Sequence, residues 1–323
     1  MFVRQTKRET CMDSAPAAEI EKYDNPVAAE RIRALMAELK TNTVSVFDFD
    51  GTVIDGNLLA ETVFNLVKHR LPKEAPARIK IEQALSVAPR EIDGRVSIYS
   101  DPCRKLAIPL VESGIFCGMN ANEIRELQHI CMQDIVASCF SWPLALILAL
   151  RRCKPRGLIL CITGTPQYIA DMVCPILGFD AAIGVTYAND GDVFVEGKPE
   201  LSPGMHKNRV MRWLAEYCEL NLQNAIAVGD SKFDIGMFDS ATYPIAINPK
   251  LDLIPHVRES GRTEKPIAWV DQKLGEGAEE IRCWLPKHNK SLRQAVLKDF
   301  LPDNVCQAIG EVILEMRRSW RYR

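Results

Sequence analysis

The sequence predicts an α/β protein: a parallel sheet covered by helices on both faces, with a helical domain inserted after the first strand. Three observations predict it. Apolar, β-rich runs alternate with helical patterns through the second half of the chain, which is the pattern of βαβ units. One further run of the same kind, at 44–49, stands far ahead of the others. Between them, residues 58–140 are mainly helical in pattern, so an inserted domain is the simplest account.

Taken in order, residues 1–25 are polar and irregular and read as a lead-in. Pro26 begins a helical pattern with Ile32, Leu35, Met36 and Leu39 on one face, ending near Lys40. In the block 58–140, Leu58, Leu59, Val63, Phe64 and Val67 form one stripe and Ile124, Leu127, Ile130, Cys131 and Ile135 another, while 85–102 reads as a loop. Strand-like runs follow at "LILCIT" (158–163), "AAIGVTY" (181–187), "DVFVEG" (192–197), "AIAVG" (225–229), "YPIAI" (243–247) and "PIAWV" (266–270), with helices at 166–177 and 206–219. Asp190 and Gly191 suit a hairpin turn between the second and third of these. Residues 276–323 return to a helical pattern, with Val305, Ala308, Ile309, Val312, Ile313 and Met316 in a stripe behind Asp303 or Asn304 as cap. The expected division is therefore 1–42 as an N-terminal extension with a helix, 43–57 with 141–275 as the core, 58–140 as the inserted helical domain, and 276–323 as a helical extension.

Composition narrows the function classes. Of 323 residues, 47% are apolar and 25% charged, as in ordinary soluble globular proteins. The net charge of −2 implies no polyanion, so no nucleic-acid partner is expected. Eleven cysteines, an odd number with no C-x-x-C pair, argue against a disulfide framework or a zinc site and for a reducing compartment. Most read simply as small buried hydrophobes. The opening MFVRQTKRET has no apolar core, and the most apolar run, Trp142 to Leu150, is short and contains Pro143. No secretory leader and no membrane span are expected, and the protein is expected to be cytoplasmic. The closing RRSWRYR reads as a solvated helix end whose charge suits the helix dipole.

The chemistry-bearing residues follow the strands. Asp48 and Asp50, in "VFDFDGT", would lie on one side of the first strand's end. Two carboxylates there are costly unless one takes up a proton or a cation sits between strands. Ligands of open α/β sheets bind beyond the strands' carboxyl ends. At the matching end of "LILCIT", Thr163 and Gly164 precede a helix start, where a hydroxyl and free backbone N–H groups make a phosphate seat. "AIAVG" runs into Asp230 with Asp234 one turn on, a G-D-S-x-x-D pattern whose oxygens suit Mg²⁺. Lys207 opens the preceding helix as a point charge for a phosphate.

Each piece alone is weak, but their order is not. "FDFDGT", "CITGT", Lys207 and "VGDSKFD" together resemble the four motifs of the haloacid dehalogenase (HAD) superfamily, over roughly 43–57 and 141–250. The G-x-x-K pattern at Gly204–Lys207 and the motif spacing are most similar to the phosphoserine-phosphatase-like branch, and the block 58–140 resembles its α-helical C1 cap. The resemblance implies a Rossmann-like core and a Mg²⁺-dependent phosphatase acting on a small phosphomonoester. In it Asp48 is the nucleophile that becomes an aspartyl phosphate, and Asp50 the general acid and base. Mg²⁺ would be held by the Asp48 and Asp230 carboxylates and the Asp50 carbonyl. Thr163, Gly164 and Lys207 would hold the phosphoryl oxygens, and Asp234 would support Lys207 or the metal shell.

The resemblance departs from phosphoserine phosphatases at two places. Where they carry a substrate-binding Glu the chain has Asn57, with Asp55 and Glu61 nearby, and Phe233 stands where Asn often precedes the second Asp of the last motif. Among the basic residues of the cap, Arg104 and Lys105 are candidates for contact with an anionic substrate. Two other readings share these residues: a phosphotransferase or mutase, and a non-catalytic binding protein on the same fold.

Overall fold

The computed structural model describes residues 23–70, 138–190, 193–261, 265–273 and 300–320 as continuous stretches, with shorter pieces between 72 and 123 and between 282 and 297. Nine described strands form one sheet in the order β11-β10-β9-β8-β7-β1-β4-β5-β6. The strands are β1 Thr43–Phe47, β4 Leu158–Pro166, β5 Ala181–Asp190, β6 Val193–Leu201, β7 Asn221–Gly229, β8 Tyr243–Ile247, β9 Ala268–Asp271, β10 Arg282–Trp284 and β11 Ser291–Leu292. The six from β9 to β5 are parallel. At one edge β6 pairs antiparallel with β5, and at the other β10 pairs antiparallel with both β9 and β11.

Burial on both faces explains the near-continuous apolar strands. Phe47, Ile159, Cys161, Ile226, Val228, Ile245 and Ile247 face one core, shared with helices α3 Ser141–Arg152, α4 Gln167–Leu177 and α8 Asp303–Trp320. Val44, Val46, Leu158, Leu160, Ala227 and Ala246 face the other, under α1 Pro26–Leu39, α5 Lys207–Glu216, α6 Ile235–Ser240 and α7 Ile254–Ser260. The period of two along each strand assigns its residues to alternate cores. The run Trp142–Leu150 is apolar nearly all round because α3 lies between the sheet and α8. No helix among the described residues is long and apolar enough to cross a membrane.

Three sequence expectations change. Residues 276–323 are not wholly helical: β10 and β11 extend the sheet before α8, whose apolar stripe then joins the core. Strands of three and two residues carry too little periodicity to be read in advance. Within the expected loop 85–102, β2 Arg90–Ile92 and β3 Arg95–Val96 pair antiparallel. The strand β4 runs on through the "TGT" motif to Pro166, so α4 starts one residue later than expected.

Of the inserted block, α2 Leu58–Arg70 matches the first expected stripe, with Leu58, Leu59, Val63, Phe64 and Val67 all buried. The stripe 124–135, Arg104, Lys105 and the lead-in 1–22 lie outside the described residues. The two chain segments that bracket the block run side by side. Asp55 N donates to the Ser138 carbonyl at 2.7 Å and Phe140 N to the Val53 carbonyl at 2.9 Å, around an antiparallel bridge between Ile54 and Cys139.

The chain visits β1, then β4 and β5 on one side, and crosses back to β7, β8 and β9 on the other. The order thus reverses beside β1, where doubly wound sheets open a crevice. Phe47 seals the floor there, fully buried and edge-on to Phe179 with ring centroids 5.5 Å apart. Phe47→Ala is expected to cost about 3–5 kcal/mol in urea unfolding, against less than about 0.5 kcal/mol for Ala at exposed Val27. Equal losses would mean that the core does not close around Phe47.

Candidate active site

Four neighbouring strands, β8, β7, β1 and β4, end at one place, and each delivers a polar group there. β1 stops at Phe47 and the chain turns at once. The Phe49 carbonyl accepts from Val53 N at 2.9 Å, and Gly51 takes a left-handed φ of 84°. A side chain at Gly51 would be strained by that φ and would overlap Asp230 Oδ2. This turn separates the two carboxylates whose spacing implied a conflict.

Asp48, buried, faces inward. Its Oδ1 accepts from Lys207 Nζ, and its Oδ2 from Thr52 Oγ1 at 3.1 Å. Asp50 turns elsewhere. Its Oδ1 accepts from Leu58 N, the first residue of α2, at 2.7 Å, and its Oδ2 from Thr165 Oγ1 at 3.3 Å. A carboxylate at a helix N-terminus is held by both the N–H group and the helix dipole. Asn57 caps that same helix, accepting from Ala60 N at 2.9 Å.

Lys207 is buried at the start of α5, with its ammonium between Asp48 Oδ1 and Asp234 Oδ1, the latter at 2.6 Å. Burial alone would lower its pKa, but the two carboxylates outweigh that and hold it above its ordinary value. Asp234 is fully buried and committed on its other oxygen. Oδ2 accepts from Asp230 N at 2.9 Å, Ser231 N at 2.8 Å and Ser231 Oγ at 3.0 Å. It therefore locks the loop after β7 and aims the lysine. The adjacent His206 is exposed at the helix start and makes no side-chain cap bond.

Thr163 and Gly164 lie in the last part of β4. Thr163 Oγ1 accepts from Thr165 N at 3.0 Å, and the space around Gly164 is open within 4 Å of where a Cβ would stand. Gly204 packs its backbone directly on Gly164, since a Cβ there would come within 2.5 Å of Gly164 N. That contact brings the turn before Lys207 against the "TGT" segment.

Asp230 completes the cluster, buried at the end of β7. One oxygen, Oδ2, pairs with Lys250 Nζ at 2.9 Å; Oδ1 is buried without a hydrogen-bond partner. Burial, with Asp48 close by, pushes its pKa up to about 8 against the partial relief given by Lys250. Burial raises Asp48 as well, although Lys207 opposes it. Oxygens of Asp48, Asp230 and Asp234 lie within 4.8 Å of one another. The unused oxygen of Asp230 beside Asp48 suits a hard divalent cation, whereas Asp234 has its oxygens committed to Lys207 and the backbone. The Asp50 carboxyl stands apart from this group, so any part for Asp50 in metal binding would fall to its carbonyl.

The fold gathers the expected residues Asp48, Asp50, Thr163, Gly164, Lys207, Asp230 and Asp234 at one strand end. Thr165, as the partner of Asp50, and Lys250, as the partner of Asp230, join them without being among the expected residues. The signal for Lys250 was its place in "YPIAINPK", three residues beyond the end of β8.

A parallel sheet with paired carboxylates, a buried lysine and an acidic loop at its carboxyl edge defines an α/β enzyme core. A family model, haloacid dehalogenase-like hydrolase, matches residues 45–239, more than half of the chain. The chain belongs to the haloacid dehalogenase-like hydrolase family. A search of curated proteins finds no match. Among solved structures, a protein of unknown function from Bordetella pertussis Tohama I is similar at 18% identity, covering 70% of this chain and 98% of that one, with a TM-score of 0.51. A HAD family hydrolase from Salmonella enterica serovar Typhi is 17% identical over 72% of this chain and 75% of that one, TM-score 0.43. A probable phosphoserine phosphatase from Vibrio cholerae is 12% identical over 85% and 67%, TM-score 0.44.

The charge arrangement has a consequence for stability. With a pKa near 8 when folded and 3.8 as the ordinary value, Asp230 keeps a proton that the unfolded chain has released. Metal-free protein is therefore expected to lose stability as pH rises between about 4 and 8. Asp230→Asn should reduce that slope in urea titrations run with a chelator, and an unchanged slope would contradict the placement of the charge.

Proposed function

We propose that the protein is a Mg²⁺-dependent phosphatase that hydrolyses a small phosphomonoester through a phosphorylated Asp48. The observation that carries this reading is the partnerless, buried Asp230 oxygen beside an Asp48 carboxylate that Lys207 orients. Bound Mg²⁺, held by the Asp48 and Asp230 carboxylates and the Asp50 carbonyl, would supply positive charge against the phosphate.

The chain's own residues account for the remaining steps. Lys207 Nζ, Thr163 Oγ1 and the backbone at Gly164 hold the phosphoryl oxygens, since phosphoryl transfer requires mainly positioning and charge neutralisation. An Asp48 oxygen forms the new bond to phosphorus while the bond to the substrate's ester oxygen breaks. Asp50 gives that oxygen a proton, so an alcohol leaves. Asp50 then takes a proton from water as the water oxygen bonds to phosphorus, the acyl phosphate breaks, and inorganic phosphate departs with Asp48 restored. Thr165 and the start of α2 position Asp50 for both transfers.

The motif spacing supports the phosphoserine-phosphatase-like branch, but Asn57 spends its side-chain oxygen on capping α2. A neutral cap in place of a carboxylate removes the anion that would pair with a substrate ammonium. The reading therefore favours a phosphomonoester without a free amino group at that position. The test is release of phosphate from p-nitrophenyl phosphate with added Mg²⁺. Asp48→Asn is expected to lower the rate at least about 10³-fold with the fold retained, and Asp50→Asn by about 10²–10⁴-fold. Wild-type-like turnover by Asp48→Asn would rule out the nucleophile.

A further inference from the structure

Lys250 is the cation paired with Asp230 in the acidic cluster, whereas Lys207 pairs with Asp48 and Asp234, and nothing in the reaction above uses it. Its ammonium lies 2.9 Å from Asp230 Oδ2 and 3.4 Å from where a Cβ on Gly51 would stand, so it occupies the gap between the first and last motifs. The backbone is fixed independently of the side chain. Lys250 N donates to the Asp230 carbonyl at 2.8 Å, and Asn248, in a left-handed turn with φ 41°, accepts from Gln272 N at 2.8 Å. Gln272 in turn accepts from Trp142 N at 3.0 Å, at the head of α3. The side chain itself is 45% exposed, against 2% for Lys207. It can leave into water; Lys207 cannot.

We propose that Lys250 is an internal counter-ion that competes with the divalent cation for Asp230 and so sets the metal affinity of the site. This rests on the metal-dependent reading above. With the site unloaded, the ammonium is the cation paired with Asp230 and takes up its charge whenever that carboxyl gives up its proton beside Asp48. On loading, a divalent ion and an ammonium on the same carboxylate repel, so the flexible lysine turns outward from its fixed backbone. The affinity of the site is then the ion's own affinity reduced by that competition. Lys250 is a positioning residue here and touches no reacting atom.

The experiment is calorimetric titration of the full-length chain with MgCl₂, paired with thermal unfolding at several Mg²⁺ concentrations and at constant ionic strength. Lys250→Met is expected to bind Mg²⁺ roughly tenfold more tightly than wild type, the order expected when a charge a few ångströms away is removed from a half-exposed site. Its metal-free form should melt at lower temperature, and Mg²⁺ should raise its Tm further than that of wild type. Lys232→Met removes the same charge from an exposed lysine directed 4.0 Å from Asp252 and is expected to leave the affinity unchanged. Equal affinity in wild type and Lys250→Met overturns the proposal, and so does an equal gain in Lys232→Met, which would reduce it to net charge. Failure of wild type and both variants to bind Mg²⁺ overturns the metal-dependent reading instead, and the Lys250 proposal with it. Loss of binding in Asp230→Asn supports the metal-dependent reading on which the proposal rests.

Discussion

The structure depends on how buried carboxylates are neutralised at one end of a parallel sheet. Asp48, Asp230 and Asp234 share a space in which their oxygens lie within 4.8 Å of one another. Like charges so placed cannot coexist in a low dielectric without cations or protons. Lys207 answers two of them from a fully enclosed position, and Lys250 answers the third from the rim. The rest follows from these pairings. The helix α5 must begin beside β1, the turn at Gly204 must pack on Gly164, and the loop after β7 must close on Asp234. Removing one charged partner of a buried pair leaves the other charge without its counter-ion, a cost of the same order as a large core truncation.

The same constraint separates residues that look equivalent in sequence. Asp48 and Asp50 are two apart, and a straight strand would aim them the same way. The turn at Gly51 sends Asp48 into the charged cluster and Asp50 to Thr165 and the first N–H of α2. Asp234 resembles a metal ligand by type and distance, yet its hydrogen bonds make it the brace for Lys207 and for the loop that carries Asp230. Chemical role follows from which lone pairs are already committed, a matter of partners rather than of residue type.

Legibility in the sequence tracked the strength of the physical signal. The parallel strands were readable because burial on both faces demands unbroken Val, Ile, Leu and Ala, as in "LILCIT" and "YPIAI". The motif residues were readable because they follow those runs directly. β10 and β11 were not, since two or three residues cannot establish a period, and the surrounding composition matched the helix that follows. Lys250 was missed for another reason. A lone lysine after a strand is usually solvated, and only the register of β8 against β7 brings it to Asp230. Thr165 was hidden in the same way, since its partner Asp50 is distant in sequence.

The paired segments around Ile54 and Cys139 carry one more implication. Where the chain leaves for the block and where it returns, the two segments are joined by backbone hydrogen bonds, Asp55 to Ser138 and Phe140 to Val53. Topologically the core is then a nearly uninterrupted chain with a side branch, because its two loose ends are already tied together where the branch departs. A branch attached in that manner can be lengthened, shortened or exchanged without altering the register of any strand. A change of length in the block is therefore compatible with the core as long as the seam at Ile54 and Cys139 is kept.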